Sequence, residues 1–483
     1  MADEREERYR KLDELMDEGP NPFPYDFERT ESIGSVVEKF DGEEEPSSAE
    51  IRLAGRLIEI RDIGGLAFAD LRGERDEIQL KIEDDQALET LRNHIHKGDI
   101  VGAGGEVIRT NTGELSLDAE ELTLLTKGVR PMPSDYYGVE DDEVRYGDRA
   151  LHLTSSMDAR ERLRRRSSVV RQVRNFLHDR DFMEVETPVL QPVYGGAAAE
   201  PFKTYVEDLD EEWYLRISPE LYLKRLVAGG FERVFEVARD FRNESIDTTH
   251  NPEFTMLEVY QAYADYEDMM ELTEQMIESI AVEVTGSATV EYQDHELDFS
   301  APWERLTMRE AIEKHADIDV NELSDSELEN KLEDLGGELD SGFERGLAIA
   351  EIFEEAVEHE LVQPVHIIDH PEETTPLCKK HRSKDGLIER FESFAVGIEL
   401  SNAYTELRNP VRQRELFEEE ERRQEEGDDE AHPIDMDFVE TLELGMPPTG
   451  GLGIGIDRLV MLMTDSQSIK EVLAFPMVKG QDP

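Results

Sequence analysis

Near the C-terminus the chain reads Gly450-Gly-Leu-Gly-Ile-Gly-Ile-Asp-Arg458, a glycine-rich run leading straight into a helix opened by an arginine. Glycine lets backbone approach a ligand closely, and a helix start offers unpaired N–H groups and the positive end of the dipole. With the fixed cation of Arg458 this is a polyphosphate site in outline, although a tight turn made only for packing has the same pattern. Further upstream, Arg233 to Glu244 and Glu253 to Tyr260 alternate with period two around a polar stretch, Ser245 to Pro252. The pattern predicts two antiparallel strands joined by a long loop. Parity sets Arg242 and Glu244 on one face of the first strand, and Phe254, Glu258 and Tyr260 on one face of the second. A solvated polar face accounts poorly for an aromatic ring, a phenol and carboxylates on the same side.

A third segment, Phe182 to Pro188, follows the spacing Val169, Val170, Val173, Phe176, Leu177 of an amphipathic helix and predicts a helix running into a strand that ends at proline. In this order the three segments resemble the signature motifs of class II aminoacyl-tRNA synthetases: a dimer-forming helix and strand, a strand-loop-strand with Phe-Arg-x-Glu, and Gly-x-Gly-x-Asp-Arg before a helix. Local patterns narrow the resemblance to the lysyl kind. They are Gly195-Gly196 through Pro201-Phe202, Ser218-Pro219-Glu220 through Lys224-Arg225, His250-Asn251-Pro252-Glu253-Phe254, Asp369-His370-Pro371, and Glu399-Leu-Ser-Asn402-Ala-Tyr404-Thr-Glu406.

The resemblance runs from about residue 50 to the end and implies an α/β (α+β) chain. An N-terminal OB-fold barrel would precede a catalytic domain built on an antiparallel sheet flanked by helices. It implies activation of L-lysine by ATP to lysyl-adenylate, transfer of lysine to the 3′ end of tRNA(Lys), and a homodimer. Both reactants of the first step are anions, so positioning and positive charge must carry it. By resemblance Arg242 bridges the lysine carboxylate and the α-phosphate, and Arg458 holds the γ-phosphate. The adenine stacks on Phe254 and is met by Glu244 and Asn251, with His250 beside the nucleotide. Glu392 and Glu399 match the family's Mg²⁺ carboxylates, an ion commonly held by one or two carboxylates plus phosphates; taken alone, two glutamates seven apart read as a solvated helix face. A buried lysine ammonium needs paired acceptors. The resemblance supplies Glu406 and Tyr260 at the ε-amine, Glu220 at the α-amine, and Gly196, Glu258, Asn402 and Tyr404 around them. Ser245, Cys378 and Arg408 depart from the family's usual residues at positions expected in loops.

Composition bears on the setting. The 483 residues carry 115 acidic and 52 basic side chains, only 14 of the latter lysine, for a formal charge of −63. Hydrophobic residues at 38% and clear periodicity argue for folding despite that charge. Dense carboxylates with few lysines suit molar salt, where a Debye length of about 3 Å removes most self-repulsion. We therefore expect a halophilic archaeon as the source. Phosphate contacts lose strength in such salt, so RNA recognition should lean on stacking and hydrogen bonds. The basic islands Arg162 to Arg166 and Lys379 to Arg382 are candidates for RNA contact or simply solvated faces. A single cysteine excludes a disulfide framework or a thiolate zinc site. The charged N-terminus and lack of long apolar runs exclude a membrane span and predict a soluble, cytoplasmic protein.

Along the chain, residues 1–45 read as a charged helical extension and linker. Short alternating strands then recur from Ile51, including Leu66 to Leu71, Ile78 to Ile82, Ile100 to Val107, Leu115 to Leu117 and Leu122 to Leu125. They predict a five-stranded OB-fold over 46–128. The resemblance makes this the anticodon-binding domain, with Arg56, Phe68 and Gln79 as its stacking and base-reading side chains; Phe68 alone would read as core. A linker over 129–152 leads to the catalytic domain, 153–483, which between the hairpin and Asp369 reads mainly as acidic helix.

Overall fold

A computed structural model describes residues 2–46, 50–132, 142–197, 199–337, 339, 342–426 and 433–478. The chain divides into two compact units, Met1–Glu161 and Arg162–Pro483. The first is organised by five strands, β1 (Ile51–Asp62), β2 (Ala67–Arg72), β3 (Glu77–Ile82), β4 (Ile100–Arg109) and β5 (Leu115–Thr126), closed into a barrel in the order β1-β2-β3-β5-β4. Alternation drives closure: Ala67, Ala69 and Leu71 of β2 and Ile78, Leu80 and Ile82 of β3 are buried, while the residues between them face outward. The segments expected as two strands, Leu115 to Leu117 and Leu122 to Leu125, are one strand. A bulge across from Gly104 and Gly105 interrupts the alternation that had suggested a break. Gly105 must be glycine, because a Cβ there would stand 1.9 Å from the Asp118 carbonyl oxygen.

Helices α1 (Ala2–Glu18) and α2 (Ile33–Phe40) fold onto this barrel, so residues 1–45 are no free extension; Leu15, Ile33, Val36 and Phe40 join its core. α3 (Asp85–His94), capped by Asp84, covers an end. The expected linker carries α4 (Asp142–Gly147) and α5 (Arg149–Ser155), while its residues 133–141 lie outside the described residues.

The second unit begins with the long α6 (Met157–His178) and short strands β6 (Met183–Glu184), β7 (Leu190–Gln191), β8 (Lys203–Val206) and β9 (Glu211–Leu215), then α7 (Glu220–Ala228). The hairpin follows as β10 (Arg233–Phe241) and β11 (Glu253–Ala262), and then α8 (Tyr266–Thr285). The stretch expected as acidic helix holds α9 (Met308–Ala316), α10 (Asp325–Leu335) and α11 (Arg345–Ala356). It also holds strands β12 (Thr289–Tyr292), β13 (His295–Asp298), β14 (Glu304–Thr307) and β15 (Val365–Ile368), whose short apolar positions were masked by surrounding acid. The chain closes with β16 (Arg390–Ala395), β17 (Ile398–Thr405), α12 (Pro410–Glu426), α13 (Met436–Glu443), β18 (Thr449–Gly455), α14 (Ile456–Met463) and α15 (Ile469–Val472).

Eight strands form one sheet in the order β14-β15-β16-β17-β18-β11-β10-β6, antiparallel except for the β14/β15 and β10/β6 pairs. Odd residues of β11 (Leu257, Val259) and even residues of β18 (Leu452, Ile454) enter a core shared with α6, α8 and α14. The opposite parity leaves Phe254, Met256, Glu258 and Tyr260 on the other face, across from Gly455, Gly453 and Gly451. The strand predicted over Phe182 to Pro188 shrinks to Met183–Glu184. After Glu184 only the Val185 N–H still reaches Phe235, and Arg216 then donates to the Val189 carbonyl.

Candidate active site

The face of the sheet opposite the α8 core opens into a cleft of about 680 Å³. At one end Arg458, in the first turn of α14, donates from Nη1 to the Glu399 carbonyl (3.1 Å) and carboxylate (3.0 Å). Its Nη2 lies 3.0 Å from His250 Nε2. His250 Nδ1 lies 2.9 Å from Asp247 Oδ2. Asp247 can only accept, so Nδ1 carries the proton and Nε2 accepts from Arg458: the ring is neutral here. Asp457 anchors this helix start beneath the cleft, accepting the Thr255 N–H at 2.8 Å and pairing with Arg166.

Arg242 and Glu244 do not lie on the strand as parity suggested. β10 ends at Phe241; the Arg242 N–H still reaches the Pro252 carbonyl (2.9 Å), but the Asn243 N–H turns to Glu200. Arg242 nevertheless faces the cleft, its guanidinium 5.1 Å from the centre of the Phe254 ring. Its Nε is buried with no acceptor among the described residues, a donor left for oxygen. Two residues earlier, Asp240 is buried in ion contact with Arg216 (3.1 Å). Burial pushes its carboxyl up to about 7 despite the pull of Arg216 and Arg242. Glu244 lines the cleft from the exposed loop. Asn251 is spent on backbone, donating to the Glu253 carbonyl (2.6 Å) and accepting from the Met477 N–H (3.2 Å).

Glu392 and Glu399 line the same wall from β16 and β17. Arg390 clamps this corner, donating to Glu392 (2.5 Å) and to the Asn402 side-chain oxygen (3.1 Å). His370 is buried 4.0 Å from Glu392, and burial, with Arg390 nearby, drives its pKa down to about 3, so it stays neutral. Negative charge is in excess here: burial, with Glu354, Glu392 and Glu399, pushes Glu358 up to about 8. Among the described residues no group of three or more ligating side chains could hold a metal alone. Two carboxylates in a field short of cation do fit Mg²⁺ completed by phosphate oxygens.

At the other end Gly196, Glu220, Glu258, Tyr260, Asn402 and Tyr404 converge. Gly196 has φ of 94°, and a Cβ there would crowd Ser218 and Glu220 at 3.1 Å. Tyr404 donates to Glu220 (2.6 Å) and Tyr260 to Glu258 (3.1 Å). Burial and repulsion from Glu220 and Asp240 raise Glu258 well above the carboxylate range. Glu406 is absent from the wall and fully buried, its Oε1 on the side to which a Gly451 Cβ would point, next to the Tyr260 ring. Its Oε2 touches the ammonium of Lys224, which is fully buried and also touches Glu220 Oε1. Its Oε1 receives no donor among the described residues. Burial pushes Glu406 up to about 8 even with Lys224 against it.

The structure thus gathers the expected nucleotide and lysine residues round one cleft, with Glu406 buried next to it, and adds Arg390, Asp240 and Lys224. Lys224 left a signal, standing four residues after Glu220, but that spacing ordinarily marks a surface pair. Cys378 is buried and bridged to Glu406 rather than loop-exposed. The basic islands are engaged internally: Arg162 with Glu471 (2.9 Å), Arg166 with Asp457, Lys380 with Glu372 (2.5 Å), and Arg382 with Asp265 (2.7 Å) and Glu389.

In the barrel unit, Phe68 and Gln79 stand diagonally on the outer face of β2 and β3, since Phe68 opposes Lys81 and Gln79 opposes Asp70. Phe68 is therefore not core. Gln79 accepts from Ser116 (3.2 Å). Arg56 lies apart, opposite Arg72, with its guanidinium on the Gly98 carbonyl (2.7 Å).

Comparison with known proteins identifies the family. Residues 141–479 match the family model described as tRNA synthetases class II (D, K and N), and residues 51–125 match the OB-fold nucleic acid binding domain. The chain is 46% identical over 479 residues to a lysine–tRNA ligase of Methanoculleus marisnigri, covering 98% of this chain and 94% of that protein. It is 43% identical over 481 residues to lysine–tRNA ligase 2 of Methanosarcina mazei (98% and 93% covered). To the lysine–tRNA ligase of Thermotoga maritima it is 44% identical over 482 residues (98% and 96%). No helix among the described residues is long and apolar enough to cross a membrane.

Proposed function

This chain belongs to the class II tRNA synthetases, and from that premise we propose how its residues divide the work of a lysine–tRNA ligase. The enzyme activates L-lysine with ATP and transfers the lysyl group to tRNA. In the first step a lysine carboxylate oxygen bonds to the α-phosphorus and the bond to the pyrophosphate oxygen breaks. Arg242 carries that step, and the supporting observation is its place on the cleft wall together with a buried Nε that has no acceptor among the described residues. A fixed donor at the point where negative charge gathers stabilises the transition state without reorganising. Arg458 takes the γ-phosphate, exchanging Glu399 and His250 for phosphate oxygens, and Phe254 offers its ring to the adenine. Glu392 and Glu399 would hold Mg²⁺, which supplies charge neutralisation at the phosphates.

Glu220 receives the α-ammonium and Glu406 Oε1 the ε-ammonium, with Tyr260 beside it. A pocket of this charge repels aspartate and leaves asparagine without a matching cation. The exposed Met183, Val189 and Leu190 on the segment after α6 support a homodimer through that surface. Phe68 and Gln79 on the open barrel face support anticodon stacking and reading, and the charge of −63 supports work in high salt. The test is amino-acid-dependent ATP–pyrophosphate exchange in molar KCl with Mg²⁺. Exchange with lysine and neither aspartate nor asparagine is expected; exchange with aspartate instead would refute the pocket.

A further inference from the structure

Of the 14 lysines in this chain, Lys224 is one whose side chain is wholly withdrawn from solvent. A chain that uses lysine so sparingly on its surface has put one at the bottom of the lysine pocket. Its ammonium touches Glu220 Oε1 and Glu406 Oε2 and faces the rings of Tyr404 (5.3 Å) and Phe438 (6.0 Å). A lone buried cation is costly, and so is a pair of buried carboxylates facing each other; the triad resolves both. The other titratable groups packed around it, Glu258, Tyr260, Tyr404 and Cys378, carry no positive charge; Arg390 acts on Cys378 from further off, and Lys224 is the cation in contact with both carboxylates.

We propose that Lys224 is a positioning and specificity residue: a resident counter-ion that offsets the charge of Glu220 and Glu406 and divides their oxygens between itself and the substrate. Each carboxylate spends one oxygen on Lys224. The remaining Oε1 of Glu406, beside Gly451 and Tyr260, is the acceptor for the ε-ammonium. The remaining oxygen of Glu220 serves the α-ammonium. Without Lys224 the two carboxylates would face each other with no cation between them, and Glu406 would hold its proton more tightly against the incoming lysine. The inference rests on the ligase reading and adds to it a residue that touches no substrate.

The test is steady-state pyrophosphate exchange on the full-length protein with Lys224→Gln, whose amide can still donate to both carboxylates, and Lys224→Arg, which keeps the charge. For Lys224→Gln the KM for lysine should rise roughly ten-fold or more, the KM for ATP should stay within about two-fold, and the acid limb of kcat/KM for lysine should move to higher pH. Lys224→Arg should stay within about three-fold of wild type. A lysine KM unchanged or lowered in Lys224→Gln overturns the proposal, as does a parallel rise in both KM values. If Lys224→Gln does not fold, as judged by circular dichroism, Lys224→Arg decides: a ten-fold rise there shows that charge is not the determinant. Wild-type protein that exchanges with lysine while Lys224→Gln matches it refutes this inference alone; wild-type protein inert with lysine refutes the reading beneath it.

Discussion

Gly451 offers the sharpest test of the lysine pocket. It faces the cleft from β18, opposite Tyr260 on one side and Tyr404 on the other. Its φ is not in the left-handed region, so alanine fits the backbone and any effect is steric. The added methyl would stand 1.9 Å from Glu406 Oε1 and 2.6 Å from Tyr260 Cε1. Non-bonded carbon contacts sit near 3.5 Å, so Glu406 must withdraw by about 1.5 Å. Overpacking of this kind costs about 1–3 kcal/mol. If that cost falls on the acceptor of the ε-ammonium, the KM for lysine in Gly451→Ala rises roughly 5- to 150-fold. The KM for ATP should hold within about two-fold, because Arg458 lies beyond the start of the next helix. Gly453→Ala is the graded control: its methyl first meets Glu258 Oε1 at 3.2 Å, and a smaller rise is expected. A lysine KM unchanged in Gly451→Ala, or one that rises in step with that of ATP, refutes the placement of Glu406.

Lysine binding should release protons. Glu406, pushed up to about 8, holds a proton in the free cleft at pH 7, burial raises Glu258 in the same direction, and an arriving ammonium lowers both. Calorimetric titrations in buffers of different ionisation enthalpy should report about one proton or more released, with affinity rising toward pH 8; a buffer-independent enthalpy would count against it. Asp240 affects stability in the opposite direction with pH. Its folded pKa of about 7 exceeds the unfolded value, so its contribution is complete below about pH 4 and lost as pH rises to 7. Asp240→Asn should therefore melt above wild type at pH 8 and level with it near pH 4, and equal midpoints at both would contradict the burial argument. Glu399→Gln should raise the Mg²⁺ concentration for half-maximal exchange roughly ten-fold or more with little change in lysine KM; an unaltered Mg²⁺ dependence would remove Glu399 from the metal site.

What could be read from the residues alone followed local rules. Strict alternation on β11 sorted Phe254, Glu258 and Tyr260 to the cleft, because parity on a paired strand needs no knowledge of partners. The glycines of β18 read as a glycine-rich run before a helix and not as a strand, because residues without side chains carry no alternation to read. Arg242 and Glu244 were assigned a strand that ends before them, since the bond that pulls the chain away, Asn243 to Glu200, joins residues 43 apart. Arg162 and Arg166 read as an island open to RNA or to solvent because their partners, Glu471 and Asp457, lie some 300 residues further on. Lys224 was hidden by an ordinary helical spacing; only burial shows that its charge is directed inward.

In the free protein Arg458 is tied to Glu399 and to a neutral His250, so the would-be phosphate cation and a would-be metal carboxylate cancel each other. On the roles proposed above, a nucleotide arriving bare would gain Arg458 but strand Glu399 without that partner, and a cation arriving bare would do the reverse. Only the two together replace everything that is broken. On those roles the cleft would act as a coincidence detector, answering to the conjunction of nucleotide and counter-cation and discounting either alone.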